Sequence, residues 1–175
     1  MPVSEVHHVA MTVSDVDRAA DFYEKALGYK KTLRSNVGGS GIEESLGLPA
    51  GTTGKVQYMQ GPSQVGQLEL IEWNGTKRRT ASAGHLELGT FLLSFQVPHD
   101  EMDEVHKRVA DLGAEVLGPP NRVLLENYGH ITAFAARDLD GNLLEFVSLP
   151  SREEIRAFRA QAAGGTGEAQ GEAAG

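Results

Sequence analysis

The feature that most constrains this chain is an internal repeat. Residues 6–13 alternate, with Val9, Met11 and Val13 on one face of an expected strand and His8, Ala10 and Thr12 on the other. Ser14 or Asp15 then caps a predicted helix whose Val16, Ala19, Ala20, Tyr23 and Leu27 form one stripe, and Gly28 ends it. The pattern returns 84 to 85 residues later, from Val13 to Val97 and from Gly28 to Gly113. Phe91, Leu93, Phe95 and Val97 alternate with Leu92, Ser94 and Gln96. Pro98, His99 and Asp100 open a helix with Met102, Val105, Val109 and Leu112 on one stripe. Each half closes on a glycine turn and a Leu-Glu strand: Gly66 to Ile71 in the first, Gly141 to Val147 in the second. Further strands are expected around Thr32, Val56–Met59, Glu115–Val116 and Ile131–Ala135. Each half therefore reads strand, helix, strand, strand, strand, which is an α+β architecture built by duplication.

The boundaries follow. Module one is expected at about 5–75 and module two at about 88–149, together one domain over 1–150. Pro150 separates this domain from a short helix over 151–161, where Ser151 and Glu154 have capping-box spacing and Ile155 and Phe158 share a face. Residues 162–175 hold only Ala, Gly, Thr, Glu and Gln, which cannot offset ordering entropy by burial, so they are predicted to be a disordered tail.

Composition excludes several functions. There is no cysteine, so thiolate metal sites and a cysteine nucleophile are ruled out. A net charge of −8 disfavours a nucleic-acid surface, and the short basic cluster Lys77-Arg78-Arg79 reads as a solvated linker. No apolar run approaches the roughly 20 residues of a membrane span, and no signal peptide is evident. A cytoplasmic protein with a small-molecule substrate, no nucleic acid and no membrane partner is expected.

The stretch from His8 to Asp15, the stretch from Phe22 to Tyr29 and the run Arg137-Asp138-Leu139-Asp140-Gly141-Asn142-Leu143-Leu144-Glu145 resemble the vicinal oxygen chelate superfamily. This group includes glyoxalase I, methylmalonyl-CoA epimerase, extradiol dioxygenases and bleomycin-resistance proteins. The resemblance covers about residues 5–149. It implies paired βαβββ modules, a mixed sheet curled around a central cleft, and a divalent metal that binds substrate oxygens. Many such proteins dimerise, so a homodimer is open.

Alternation assigns His8, Glu69, Ile71 and Trp73 to the cleft in module one, and Leu92, Ser94, Gln96, Glu145 and Val147 in module two. By the resemblance, the metal-ligand positions fall on His8, Glu69, Leu92 and Glu145. Leu92 cannot ligate, which leaves His8, Glu69 and Glu145. One imidazole and two carboxylates suit Fe, Mn, Ni, Co or Zn. Each glutamate interrupts an apolar run, and a buried carboxylate is costly unless paired or metal-bound. Either Glu69 or Glu145 would instead serve as general base if loosely held. Thr12, Trp73, Ser94, Gln96 and His130 are candidate substrate contacts. The glycine-rich segment from Gly38 to Gly54 reads as a lid over the cleft or as a loop folded into its opening.

Two functions remain. One is a metal-dependent enzyme acting on vicinal oxygens: an isomerase or epimerase, a lyase, or a ring-cleaving dioxygenase. The alternative is a metal-free small-molecule binding protein of the bleomycin-resistance type, favoured by Leu92 at a ligand position.

Overall fold

The computed structural model describes residues 5–63, 65–76, 90, 92–126 and 128–164. Strand β1 (His8–Thr12) leads to helix α1 (Val16–Leu27). Asp15 is its N-cap, accepting from the Asp17 and Arg18 amides, and Gly28 closes it in the left-handed region at φ 71°. A second acceptor serves the same end: Glu72 takes the Val16 amide at 3.0 Å, tying the helix to the sheet beneath it. Strands β2 (Lys30–Gly38), β3 (Thr53–Gln60) and β4 (Gln67–Trp73) complete a sheet in the order β1-β4-β3-β2, with β1 parallel to β4.

The glycine-rich segment between β2 and β3 holds a helix, α2 (Ser40–Leu46). Gly47 ends it at φ 65°, and Glu43 accepts the Gly51 amide at 2.7 Å. It belongs to the β2–β3 connection and packs on β2.

Module two repeats the plan with β5 (Leu92–Gln96), a single 3-10 turn (His99–Glu101), α3 (Met102–Asp111), β6 (Glu115–Val116), β7 (Asn121–Leu125), β8 (Gly129–Arg137) and β9 (Leu143–Ser148). Strand β7 goes beyond the sequence expectation. Both β6 and β7 pair with β8, β6 near Arg137 and β7 near Gly129, so together they fill the place that β2 holds in module one. Pro119 and Pro120 divide them, because proline donates nothing to the ladder. The expectation that Phe91 packs inward, like the linker assignment of Lys77-Arg78-Arg79, falls outside the described residues. Helix α4 (Arg152–Gly164) is capped reciprocally by Ser151 and Glu154 and continues past the expected end at 161. Most of the expected tail lies outside the described residues. Among those residues no helix is long and apolar enough to cross a membrane.

The modules form two separate mixed sheets, and the reason lies in the core. One apolar cluster joins Met11, Leu68 and Leu70 of the first sheet, α1 and α3, and Phe134, Leu144 and Phe146 of the second. The inner face of each sheet is spent on this shared core, which leaves the outer faces turned away from each other. A polar knot fixes the two halves. The hydroxyl of Tyr23, a fully buried residue of α1, donates to Asp138 at 2.7 Å. Asp138 also accepts the Asp140 and Asn142 amides and the Asn142 side chain. Four donors on one buried carboxylate explain why the Asp138–Asn142 turn has that composition.

Burial, and then the Asp138 charge, push the Tyr23 hydroxyl well above the ordinary tyrosine range. The folded protein therefore favours the neutral phenol, and this stability is full below about pH 10 and lost as pH rises through the folded value. Tyr23→Phe is expected to cost about 1–3 kcal/mol in urea unfolding at pH 7. The cost should shrink at pH 11, where only the wild type carries this alkaline penalty. An equal cost at both pH values would contradict the assignment.

Candidate functional site

The outer face of the first sheet is built by ladder register. Ala10 lies opposite Glu69 on one side, and Tyr58 lies opposite Glu69 on the other. The carboxylate is therefore flanked by β1 and β3. Tyr58 donates its hydroxyl to Glu69 Oε1 at 2.6 Å. His8 Nε2 stands 3.3 Å from Glu69 Oε2, with side-chain exposures of 38% for His8 and 14% for Glu69. The His8 ring meets Tyr58 edge-on, with centroids 5.9 Å apart. His7 is exposed and joins the group, its Nδ1 lying 2.9 Å from His8 Nδ1. If His8 Nε2 carries the proton given to Glu69, His8 Nδ1 is the acceptor for His7. The result is a continuous polar chain: His7, His8, Glu69, Tyr58.

Tyr58 is the functional residue that sequence reasoning missed. Its strand was expected, but its register was not. The β3–β4 hairpin pairs Met59 with Leu68, and that pairing alone places Tyr58 beside Glu69. Burial, then the Glu69 hydrogen bond and charge, raise the Tyr58 hydroxyl to about 12. At neutral pH it is a firm proton donor.

Thr12 is exposed on the same face, opposite Ile71. Trp73 lies across Gly54: a Cβ at Gly54 would come within 2.7 Å of the Glu72 carbonyl and 3.1 Å of the indole. Glycine is required there by close packing rather than by its φ.

Module two presents a plainer face. Its register matches module one, since Ser94 lies opposite Glu145 as Ala10 lies opposite Glu69. Leu92 accordingly stands where His8 stands, and Ala135, paired with Glu145, stands where Tyr58 stands. Glu145 is left with Ser94, whose hydroxyl donates to it at 2.6 Å. Gln96 is exposed at the end of β5. His130 is not on this face. It shares strand parity with Thr132 and Phe134, so it sits on the inner side of β8, at the edge of a separate cavity.

His8 and Glu69 are brought together, but Glu145 is not brought to them. The core stands between the two outer faces. Among the described residues no three His, Asp or Glu side chains are grouped closely enough to hold a metal ion. Within one chain the donor set is thus one imidazole and one carboxylate, short of the three ligands of a catalytic site.

Paired βαβββ modules with a histidine and a strand glutamate on an outer face define a class of protein, and comparison identifies it. Residues 5–146 match the Glyoxalase/Bleomycin resistance protein/Dioxygenase superfamily, and the chain belongs to it. A 2-epi-5-epi-valiolone epimerase from Actinomyces sp. is 30% identical over 121 residues, which are 67% of this chain and 64% of that protein. This chain thus matches somewhat less than two thirds of that relative's length. Among solved structures, a glyoxalase family protein from Bacillus cereus superposes with a TM-score of 0.71 at 24% identity, covering 86% of this chain and 97% of that one. The fosfomycin resistance protein FosX from Listeria monocytogenes, complexed with Mn(II) and sulfate, gives a TM-score of 0.57 at 16% identity over 88% of this chain and 98% of its own. At these identities both show the shared fold. Divalent metals are thus found in this fold.

Replacing Glu69 tests the polar chain. Glu69→Gln removes the charge that helps hold the Tyr58 proton, so the hydroxyl should fall from about 12 toward its ordinary value while burial keeps part of the shift. Tyrosinate absorbance during alkaline titration reads this directly. A Tyr58 titration identical in both proteins would break the assignment.

Proposed function

We propose that this protein is an isomerase of the epimerase type that moves a proton at a carbon beside a carbonyl in a small, oxygen-rich substrate. The observation that carries this reading is the Glu69 carboxylate, held by Tyr58 on one oxygen and by His8 on the other in a partly open face. The epimerase relative supports the reaction type, and its name denotes a hydroxylated ketone as the substrate class.

Glu69 takes the proton, and the C–H electron pair moves into an enolate whose charge collects on the carbonyl oxygen. Once Glu69 has taken the proton, the Tyr58 hydroxyl, protonated throughout the neutral range, exchanges its bond to the carboxylate for one to that oxygen. Inversion needs a proton returned to the opposite face of the carbon. Glu145 has the matching strand position, but a chain's own Glu145 lies across the core. A second copy supplies it if β1 of one chain runs beside β5 of the other, and both are unpaired sheet edges among the described residues. A homodimer therefore forms the cleft in this reading. A divalent ion (Fe, Mn, Ni, Co or Zn) on His8, Glu69 and the second copy's Glu145 would, when bound, stabilise the enolate as a Lewis acid.

A second reading has its own observation. Leu92 and Ala135 strip module two of the donors that module one keeps. A metal-free binding protein would tolerate that loss.

The test combines mass, metal and exchange. Light scattering should show a dimer, and mass spectrometry should show metal lost in both His8→Ala and Glu145→Ala. A 2-hydroxycyclohexanone probe in D2O should exchange the proton beside its carbonyl. Glu69→Gln should slow the exchange by about 10²–10⁴-fold. Saturable binding of the probe without exchange, by a protein that takes up no metal, would replace the enzyme reading with sequestration.

A further inference from the structure

The inner face of β8 changes character along its length. Phe134 and Ala136 enter the shared core, whereas Thr132 and His130, next on the same face, do not. Thr132 pairs with Ser148 of β9 on one side and with Arg122 of β7 on the other, so all three side chains leave the same side of the sheet. That side is opposite the one bearing Glu145, because Ser148 shares parity with Phe146. Helix α4 closes over this polar patch and leaves a cavity of about 500 Å³, with His99 of the 3-10 turn at its rim and Phe158 across from the strands. This is within the size range of small-ligand pockets.

Its lining sets one guanidinium and two imidazoles against a single carboxylate. Arg122, His99 and His130 line the cavity; Arg122 and His99 act on Glu154 through charge, with no direct hydrogen bond to it among the described residues. The one carboxylate in the lining, Glu154, caps α4: it accepts the Ser151 amide at 2.7 Å, and that bond first, then the nearby His99 and Arg122, hold it below the usual carboxylate range. The Thr132 and Ser148 hydroxyls add two more donors. The cavity thus offers a guanidinium, two imidazoles and two hydroxyls, with one oxygen of its only acid tied to the α4 cap. A guanidinium fork with no direct hydrogen-bond partner among the described residues, set beside hydroxyls, is matched by the oxygens of a carboxylate or phosphate. The remaining wall, Pro150, Ala157 and Phe158, is apolar.

We propose that this cavity is a second binding site, separate from the Glu69 face, for a small organic anion whose carboxylate or phosphate head meets Arg122 and whose apolar body rests on Phe158. The proposal does not depend on the reaction run at Glu69, since the two sites lie on different faces of different sheets.

Calorimetric titration of the full chain with phenyl phosphate, benzoate and phenol tests it. Saturable binding of either anion but not of phenol is expected, and the tighter anion identifies the head group. Arg122 is exposed on strand β7, so Arg122→Gln should fold normally and weaken the anion at least about tenfold, or about 1.4 kcal/mol. Glu69→Gln should leave the affinity unchanged. No saturation by either anion below about 10 mM, a limit near 2.7 kcal/mol of binding, would overturn the proposal. So would equal binding of phenol, an affinity indifferent to Arg122→Gln, or one lost in Glu69→Gln.

Discussion

The structure depends on a single apolar core shared by two sheets. Each module alone has a helix and one apolar sheet face, and each could cover that face only thinly. Packing the helices between the sheets buries both faces at once. Tyr23 and Asp138 then fix how the halves meet, because a buried phenol and a carboxylate with four donors tolerate one arrangement. The consequence reaches the chemistry. If the inner faces hold the molecule together, the polar residues must go outward, and the two outward faces of one chain cannot meet.

Duplication made the halves alike in frame and unlike in content. The ladder register around Glu145 repeats that around Glu69 residue for residue. The neighbours differ: His8 and Tyr58 in one half are answered by Leu92 and Ala135 in the other. A carboxylate flanked by a phenol and an imidazole is oriented on both oxygens, as a general base must be to meet a C–H bond at a defined angle. Glu145, held by a serine alone, is less constrained. In the proposed reading, acid–base chemistry therefore concentrates on the first sheet, with Glu145 in a supporting position.

Much of this was legible in the sequence, and the reasons are physical. Period-two alternation marked the inner residues Val9, Met11 and Val13 because one strand face must be apolar, and the repeat spacing carried that reading to Val97. Glycine at 28 and the Asp138 turn announced their conformations through local chemistry. What escaped was register and the pairing of faces. Tyr58 was visible as a strand residue, but only the hairpin alignment puts it against Glu69. His130 looked like a cleft residue by its place in the chain, and its parity with Phe134 put it on the other side. The grouping of His8, Glu69 and Glu145 failed for a single chain because alternation says which face a residue takes and nothing about where that face points.

The same argument explains why the back of the second sheet is not simply more core. Pro119 and Pro120 interrupt the strand opposite β8, so β7 restarts at a new place along it and carries Arg122 beside Thr132. In module one the corresponding strand, β2, is unbroken by proline, and its cations Lys31 and Arg34 are already paired with Asp21, Glu24 and Asp17 of α1. Among the described residues helix α4 has no counterpart in the first module, and it packs against β8 where that strand turns polar. Three departures from the repeat, namely the broken strand, the polar inner face and the added helix, thus coincide at one cavity. A duplicated fold keeps its frame for stability, and what breaks its symmetry is free to serve another purpose: on the outer faces this is the polar chain around Glu69, and behind β8 it is the recess where Arg122, His99 and His130 gather.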